Sequence, residues 1–306
     1  MGEPLLRCEM SDGRVLAYAI WGDRDGFPIL SLHGTPGSRL ERWPHEELYE
    51  RLGVCYVTHD RAGYGRSTRR PGRRVADEAG DVAALADELG FERFAVSGGS
   101  GGGPHALACA ALLPDRVVRA ACIVGVAPFG PDGLERDAWL AGMDAANVKE
   151  FEWTEAGEAV LTRELEAEYA RMQERVADDP SRILEGFDLS QSDREELTRP
   201  ERMQIIRETT AEHSVHGVGG WVDDDLAMLQ PWGFDPAQIA VPTLIHYGAT
   251  DVLVPPAHGA WLAAQVPGCV VKVDDVAGHV GTDPEVEITE LVHWLRDGEP
   301  PSGSRA

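Results

Sequence analysis

The sequence predicts an α/β fold, with a mostly parallel central sheet flanked by helices and a helical cap inserted between two strands. Three observations predict it. Short, continuous apolar runs ending in Gly, His or Asp recur along the chain, as suits central parallel strands covered on both faces. Helical patterns sit between those runs, and strands alternating with helices imply a doubly wound sheet. One long stretch, residues 130–231, breaks this rhythm: it is rich in Glu, Asp and Arg and has no clear strand.

Leu5–Met10 and Arg14–Trp21 read as antiparallel strands joined by the turn residues Ser11, Asp12 and Gly13. Pro28–Leu32, Val54–Thr58, Phe94–Ser97 and Val117–Ala127 read as the next strands, and Val241–Tyr247 and Cys269–Val273 as the last two. Val75–Leu89 keeps apolar residues at helical spacing and stops at Gly90. Pro104–Leu113 begins with Pro in a first-turn position, where its missing N–H does no harm. Ala257–Gln265 and Pro284–Trp294 also fit helices. Inside the long stretch, Glu155–Val176, Pro200–His213 and Val222–Leu229 are helical. Pro128, Gly130 and Pro131 mark its entry, and Pro231, Trp232 and Gly233 its exit. The expected organisation is a core of residues 1–129 and 232–306 with a helical cap (lid) of residues 130–231. The polar tail Gly298–Ala306, rich in Pro, Gly and Ser, reads as disordered.

A chain of 306 residues can bury a sizeable core. Its net charge of −24 repels phosphate backbones and anionic lipid, so nucleic acid and membrane surfaces are not expected partners. The same field disfavours anionic substrates unless a local Arg overrides it. No apolar run approaches the roughly 20 residues needed to cross a bilayer. The opening MGEPLLRCEMSDG has neither a basic leader nor an apolar core segment, so the expected location is the cytoplasm. Five scattered cysteines, mostly inside apolar runs, point to buried free thiols rather than a disulfide framework. No Cys or His spacing suits a metal, and no cofactor is expected. The expected partner is a small-molecule substrate, and a homodimer stays open.

The strongest local signal is GGSGG, Gly98–Gly102, between a predicted strand and a predicted helix. This is an instance of the G-x-S-x-G turn, which forces Ser100 into a strained backbone and exposes its hydroxyl at a helix N-terminus. Flanking side chains must be small because strand and helix pass close by. A phosphate-cradling loop is the competing use, but the glycines fit neither G-x-G-x-x-G nor a G-K-[ST] pattern.

Several motifs in order resemble the α/β-hydrolase superfamily over nearly the whole chain. HGTPGS (His33–Ser38) resembles its oxyanion loop, and DRAGYGRS (Asp60–Ser67) its D-x-x-G-x-G-x-S segment. GGSGG resembles the nucleophile elbow, HYGATDVLVP (His246–Pro255) the segment carrying the acid, and AGHVG (Ala277–Gly281) the loop carrying the histidine. The resemblance implies that Ser100 attacks a carbonyl, His279 takes its proton and Asp251 holds His279 in the useful tautomer. It implies an oxyanion hole made by the backbone N–H groups of Thr35 and Gly101. Asp132 competes with Asp251 as the acid, and loop context favours Asp251. Asp274 and Asp275 sit at a strand end whose usual role is structural. Asp60 and Arg61 are expected to brace the oxyanion loop, His33 to shape its turn, and His105 to pack. His293, on the last helix, is a decoy.

Ser at position 100 excludes the haloalkane dehalogenase-like and epoxide hydrolase-like branches, which need Asp there. HGTPGS and DRAGYGRS lean toward the proline iminopeptidase-like branch. Members of that branch usually carry HGGPG upstream and a bulky residue after the nucleophile; here Thr35 and Gly101 stand instead. Most acidic residues of the long helical stretch are read as a solvated face. Trp139, Phe151, Trp153 and Trp221 are its candidate substrate-binding residues. The leading expectation is a serine hydrolase of a small to medium, largely apolar ester or lactone. The alternatives are peptide, C–C or peroxide chemistry on the same triad, and a ligand sensor on a hydrolase scaffold.

Overall fold

The computed structural model describes residues 5–179, 182 and 185–305. The strands are β1 (Leu6–Glu9), β2 (Val15–Gly22), β3 (Phe27–Leu32), β4 (Val54–His59), β5 (Phe94–Gly99), β6 (Val117–Ile123), β7 (Thr243–Gly248) and β8 (Val270–Asp274). They form one eight-stranded sheet in the order β1-β2-β4-β3-β5-β6-β7-β8. β1 pairs with β2 and β2 with β4 antiparallel; every later pairing is parallel. All six residues of β4 are buried, as a continuous apolar run in a sheet covered on both faces requires.

Side chains alternate between two cores along each strand. Leu30, Val57, Val96 and Ile245 point to the face covered by α2 (Glu78–Glu88), α3 (Gly103–Leu112) and α10 (Pro256–Gln265). Their neighbours Ile29, Tyr56, Ala95 and Leu244 point to the other face, under α1 (Glu46–Arg51) and α11 (Pro284–Asp297). Between β6 and β7 the chain runs through α4 (Arg136–Leu140), α5 (Ala145–Glu155), α6 (Glu158–Asp178), α7 (Gln191–Leu197), α8 (Pro200–His213) and α9 (Gly219–Met228). There α6 and α9 bury Leu161, Leu165 and Val222 in a third apolar cluster, anchored to the sheet side by Tyr64.

Three local expectations change. β6 stops at Ile123 instead of running to Ala127: Val124 has φ 46° and the chain leaves the sheet. The turn passes close to α3: a Cβ on Gly125 would lie 3.3 Å from Gly103 Cα, and 2.4 Å from Cys122 Sγ of β6. The helix expected over Glu155–Val176 starts instead at Glu158, because Gly157 at φ 100° separates it from α5, which was not expected. The tail is not loose: the backbones of Arg305 and Val271 exchange hydrogen bonds of 2.7 and 2.8 Å, and Pro301 is buried. Strand β8 is the sheet's outer edge, and the returning tail covers part of its unpaired backbone. Ala306 lies outside the described residues.

All five cysteines are buried and unpaired. Among the described residues, no group of three His, Cys, Asp or Glu side chains could hold a metal ion, and no helix is long and apolar enough to cross a membrane.

Candidate active site

β5 delivers Ser100 at its carboxyl end, and one 3-10 turn, Ser100–Gly102, leads straight into α3. Ser100 has φ 53°, in a region that costs an L-residue about 1–2 kcal/mol. The surroundings explain which glycines hold it there. A Cβ on Gly98 would lie 2.2 Å from the Gly102 carbonyl oxygen, and one on Gly102 would lie 2.2 Å from the Leu32 oxygen. Strand, turn and helix are therefore jammed together at these two positions. A Cβ on Gly99 would meet nothing within 4 Å, so that glycine is not sterically demanded.

Asp251, in the loop after β7, is buried. Its Oδ1 accepts the backbone N–H groups of Leu253 (2.8 Å) and Val254 (2.9 Å), which aims Oδ2 at His279 Nδ1, 2.8 Å away. A proton on Nδ1 donated to this carboxylate leaves His279 Nε2 as the basic nitrogen. Burial pulls the imidazole pKa down. The charge and hydrogen bond of Asp251, with the charges of Asp193 and Glu41, outweigh burial and leave it above the ordinary 6.5. The contrast with five other histidines is sharp: burial, as the main cause, pushes His33, His105, His213, His246 and His258 below that value. Asp132 is exposed on a turn before α4. Asp274 accepts the N–H groups of Val276 and Ala277, both at 3.0 Å, and so shapes the start of the histidine loop.

The loop after β3 lies against the elbow. A Cβ on Gly34 would sit 3.5 Å from Ser100 Cβ, and one on Gly101 would sit 2.2 Å from Thr35 Oγ1. The Thr35 side chain thus occupies the space that a side chain at 101 would need. Arg61 clamps the loop from behind: it donates to the His33 carbonyl, to the Gly34 carbonyl (3.0 Å) and to Thr35 Oγ1 (3.1 Å). His33 Nε2 accepts the Arg61 backbone N–H at 3.1 Å. Asp60 accepts the backbone N–H groups of Arg39 (2.6 Å) and Arg66 (2.9 Å).

The centre of this clamp is Asp224, on α9, which sequence reasoning did not single out. Its Oδ2 accepts from Arg61 (2.5 Å), Thr35 Oγ1 (2.9 Å) and Tyr64 (2.9 Å), while Oδ1 faces Arg73 at 2.6 Å and His105 Nε2 at 3.4 Å. Burial alone would raise the Asp224 carboxyl, but the charges of Arg61 and Arg73 hold it well below the ordinary carboxylate range. Asp193, on α7, was missed as well. Both residues lie in acid-rich helical stretches, read as solvated, that turn out to carry buried acids: Asp193, Glu196, Asp223 and Asp224. Nothing in the residue pattern separates these from exposed acids, because their partners come from distant loops.

Ser100, Gly101, Thr35 and His279 open on a cavity of about 630 Å³ between the carboxyl ends of the strands and the helices of the insertion. Trp139, Phe151, Trp153 and Trp221 all touch its wall, and Trp139 and Phe151 also belong to the core beneath. A smaller cavity of about 230 Å³ adjoins it through Glu41, Ser100, Arg202, His279 and Val280.

A strained serine at a strand-to-helix elbow, and a histidine bonded to a buried acid, facing one cavity at a sheet's carboxyl edge, define an enzyme of hydrolase type. The profile of the α/β-hydrolase fold family matches residues 28–284, and the chain belongs to that family. It is 37% identical over 153 residues to the non-heme chloroperoxidase of Streptomyces lividans, covering 46% of this chain and 55% of that protein. It is 35% identical over 137 residues to the bifunctional esterase/perhydrolase DCH of Acinetobacter calcoaceticus, covering 42% and 49%. These matches span about half the length of each relative. A hydrolase from Pseudomonas aeruginosa superposes with a TM-score of 0.67 at 20% identity, covering 98% of this chain and all of that one, a likeness of fold alone.

Proposed function

We propose that the protein is a serine hydrolase that cleaves a small to medium, largely apolar carboxylic ester or lactone through an acyl-enzyme. Ser100 Oγ attacks the carbonyl carbon while His279 Nε2 takes the hydroxyl proton; Asp251 stabilises the imidazolium that forms. The backbone N–H groups of Thr35 and Gly101 receive the oxyanion, a contribution worth about 10²–10³ in rate per donor. His279 then protonates the departing alkoxide, and a water activated by the same nitrogen releases the acid. Residues 130–231 act as the cap that shapes the acyl and alcohol pockets, with Trp139, Phe151, Trp153 and Trp221 as apolar wall. The observation that carries this reading is the 2.8 Å His279–Asp251 contact on the cavity that also receives the strained Ser100.

A second reading has one specific observation in its favour. Glu150 and Asp225 face the cavity and share a hydrogen bond; burial pushes the Glu150 carboxyl up to about 7. Such a pair could receive the free amine of an amino-acyl substrate, as in the proline iminopeptidase-like branch. Labelling with a fluorophosphonate tests the common chemistry: the wild type should react and Ser100→Ala should not. Label uptake independent of Ser100 would refute the nucleophile. Aryl esters of graded acyl length against amino-acid anilides then separate the two substrate readings.

A further inference from the structure

Arg202, on α8, lines the main cavity with Ser100, Glu41 and His279, and lines the smaller cavity as well. Its side chain is only 13 % exposed, and its guanidinium lies 4.9 Å from the centroid of the Trp43 ring. The nearest carboxylate is Glu196, 3.7 Å from Nε, beyond hydrogen-bonding distance; Glu196 is held closer by Arg199, at 2.8 Å. Among the described residues Nε is buried without a hydrogen-bond partner. Of the other arginines that line the two cavities, Arg42 is engaged by Glu46 (2.6 Å) and Glu208 (3.0 Å), and Arg175 lies 3.5 Å from Glu168.

A buried charge with five donors is costly unless acceptors satisfy it, and guanidinium geometry matches a carboxylate in two-pronged fashion. Glu41 does not supply the acceptor. Its carboxylate takes hydrogen bonds from the Gly34 N–H, at 3.2 and 3.4 Å. Burial also pushes the Glu41 carboxyl up. The remaining carboxylates whose charges reach Arg202 are Glu196 and Glu287.

We propose that Arg202 is a substrate-binding residue that anchors a free carboxylate, so that the ester cleaved at Ser100 is a half-ester of a dicarboxylic acid or a similarly acidic ester. This rests on the hydrolase reading above and narrows its substrate class. It also supplies the local cation that an anion needs to enter a protein of net charge −24.

Binding can be tested without turnover. In Ser100→Ala protein, calorimetry compares monomethyl glutarate, anionic at neutral pH, with dimethyl glutarate, its neutral analogue of similar length. The monoester should bind ~10-fold tighter or more, as charge-assisted hydrogen bonds predict. Adding Arg202→Gln should erase that preference without weakening the diester, and Arg202→Lys, the fallback if the Gln variant melts early, should retain part of it. Equal or weaker binding of the monoester, no saturable binding of it, or a preference that survives Arg202→Gln in folded protein would each overturn the proposal. Ester turnover that persists in Ser100→Ala would instead sink the hydrolase mechanism, leaving the binding comparison to stand or fall by itself.

Discussion

The carboxylate of Asp193 accepts the backbone N–H of His279 at 3.1 Å, and its other oxygen accepts that of Val280 at 2.7 Å. A residue of α7, far along the inserted helices, thereby holds the loop that carries the histidine. The contact explains Gly278: a Cβ there would lie 2.0 Å from Asp193 Oδ2. Asp193→Ala should lower kcat by about 10²-fold with KM little changed, the size of effect expected from a misplaced catalytic group. Asp193→Asn, which keeps one acceptor, should recover part of the loss. Steady-state kinetics on an aryl ester would show it, and a change confined to KM would argue against a positioning role.

The pH profile follows from the direction of the His279 shift. In the mechanism proposed above only neutral imidazole can take the Ser100 proton, so kcat/KM should fall as pH drops through the histidine's pKa. That pKa is raised, so the acid limb should have its midpoint above 6.5. Asp251→Asn removes the largest raising influence and leaves burial to dominate. The midpoint should then move down, with kcat reduced by about 10⁴-fold. A wild-type midpoint at or below 6.5 would contradict this balance of charges.

Asp224 should matter more for folding than any surface acid. Asp224→Asn leaves Arg61 and Arg73 buried against a neutral amide, a loss of about 3–5 kcal/mol for one broken buried pair. Urea denaturation measures it, and a change under about 1 kcal/mol would place the pair in the class of exposed salt bridges.

Glu150 and Asp225 bear on stability in the opposite sense. Burial first, then the charges of Glu150 and Asp224, push the Asp225 carboxyl well up, and burial raises Glu150 to about 7. The folded pair keeps protons that the unfolded chain releases above its ordinary value near 4.5, so stability falls as pH rises from there toward 7. Glu150→Gln can still accept from Trp221 Nε1, now 2.8 Å from the carboxylate, and can donate to Asp225 without a shared proton. It should therefore melt higher than the wild type at pH 8, with the difference shrinking by pH 5. A difference that stays constant across that range would assign the effect to packing.

Thr35 and Gly101 make a steric pair. Gly101→Ala alone should cost activity, because its Cβ would fall 2.2 Å from Thr35 Oγ1. Thr35→Gly made together with it should restore part of the rate. A double variant as impaired as the sum of the two singles would show that the positions do not share one space.

Much of this was legible in the residues themselves. The strands of the sheet and the helices α2, α3, α10 and α11 carry strong local periodicity, and their ends fall within a few residues of expectation. The elbow, the acid loop and the histidine loop each combine a reactive side chain with glycines whose need is steric and local. The short helices α1, α4 and α7 were not, since one or two turns give no periodicity to read, and neither was the three-turn α5.

Alone, the sequence determined the fold class and the order of Ser100, Asp251 and His279, because strand and helix patterns and tight turns are short-range properties of a chain. Only the tertiary structure decided which acids are buried. Asp193, Asp224 and the Glu150–Asp225 pair look like any solvated acid until the chain brings His279, Arg61, Arg73 and Trp221 to them. It alone decided, too, that Arg202 stands in the cavity wall with its Nε unpartnered among the described residues. Charges acquire partners, or go without, through contacts between residues far apart in the chain, and no local pattern records them.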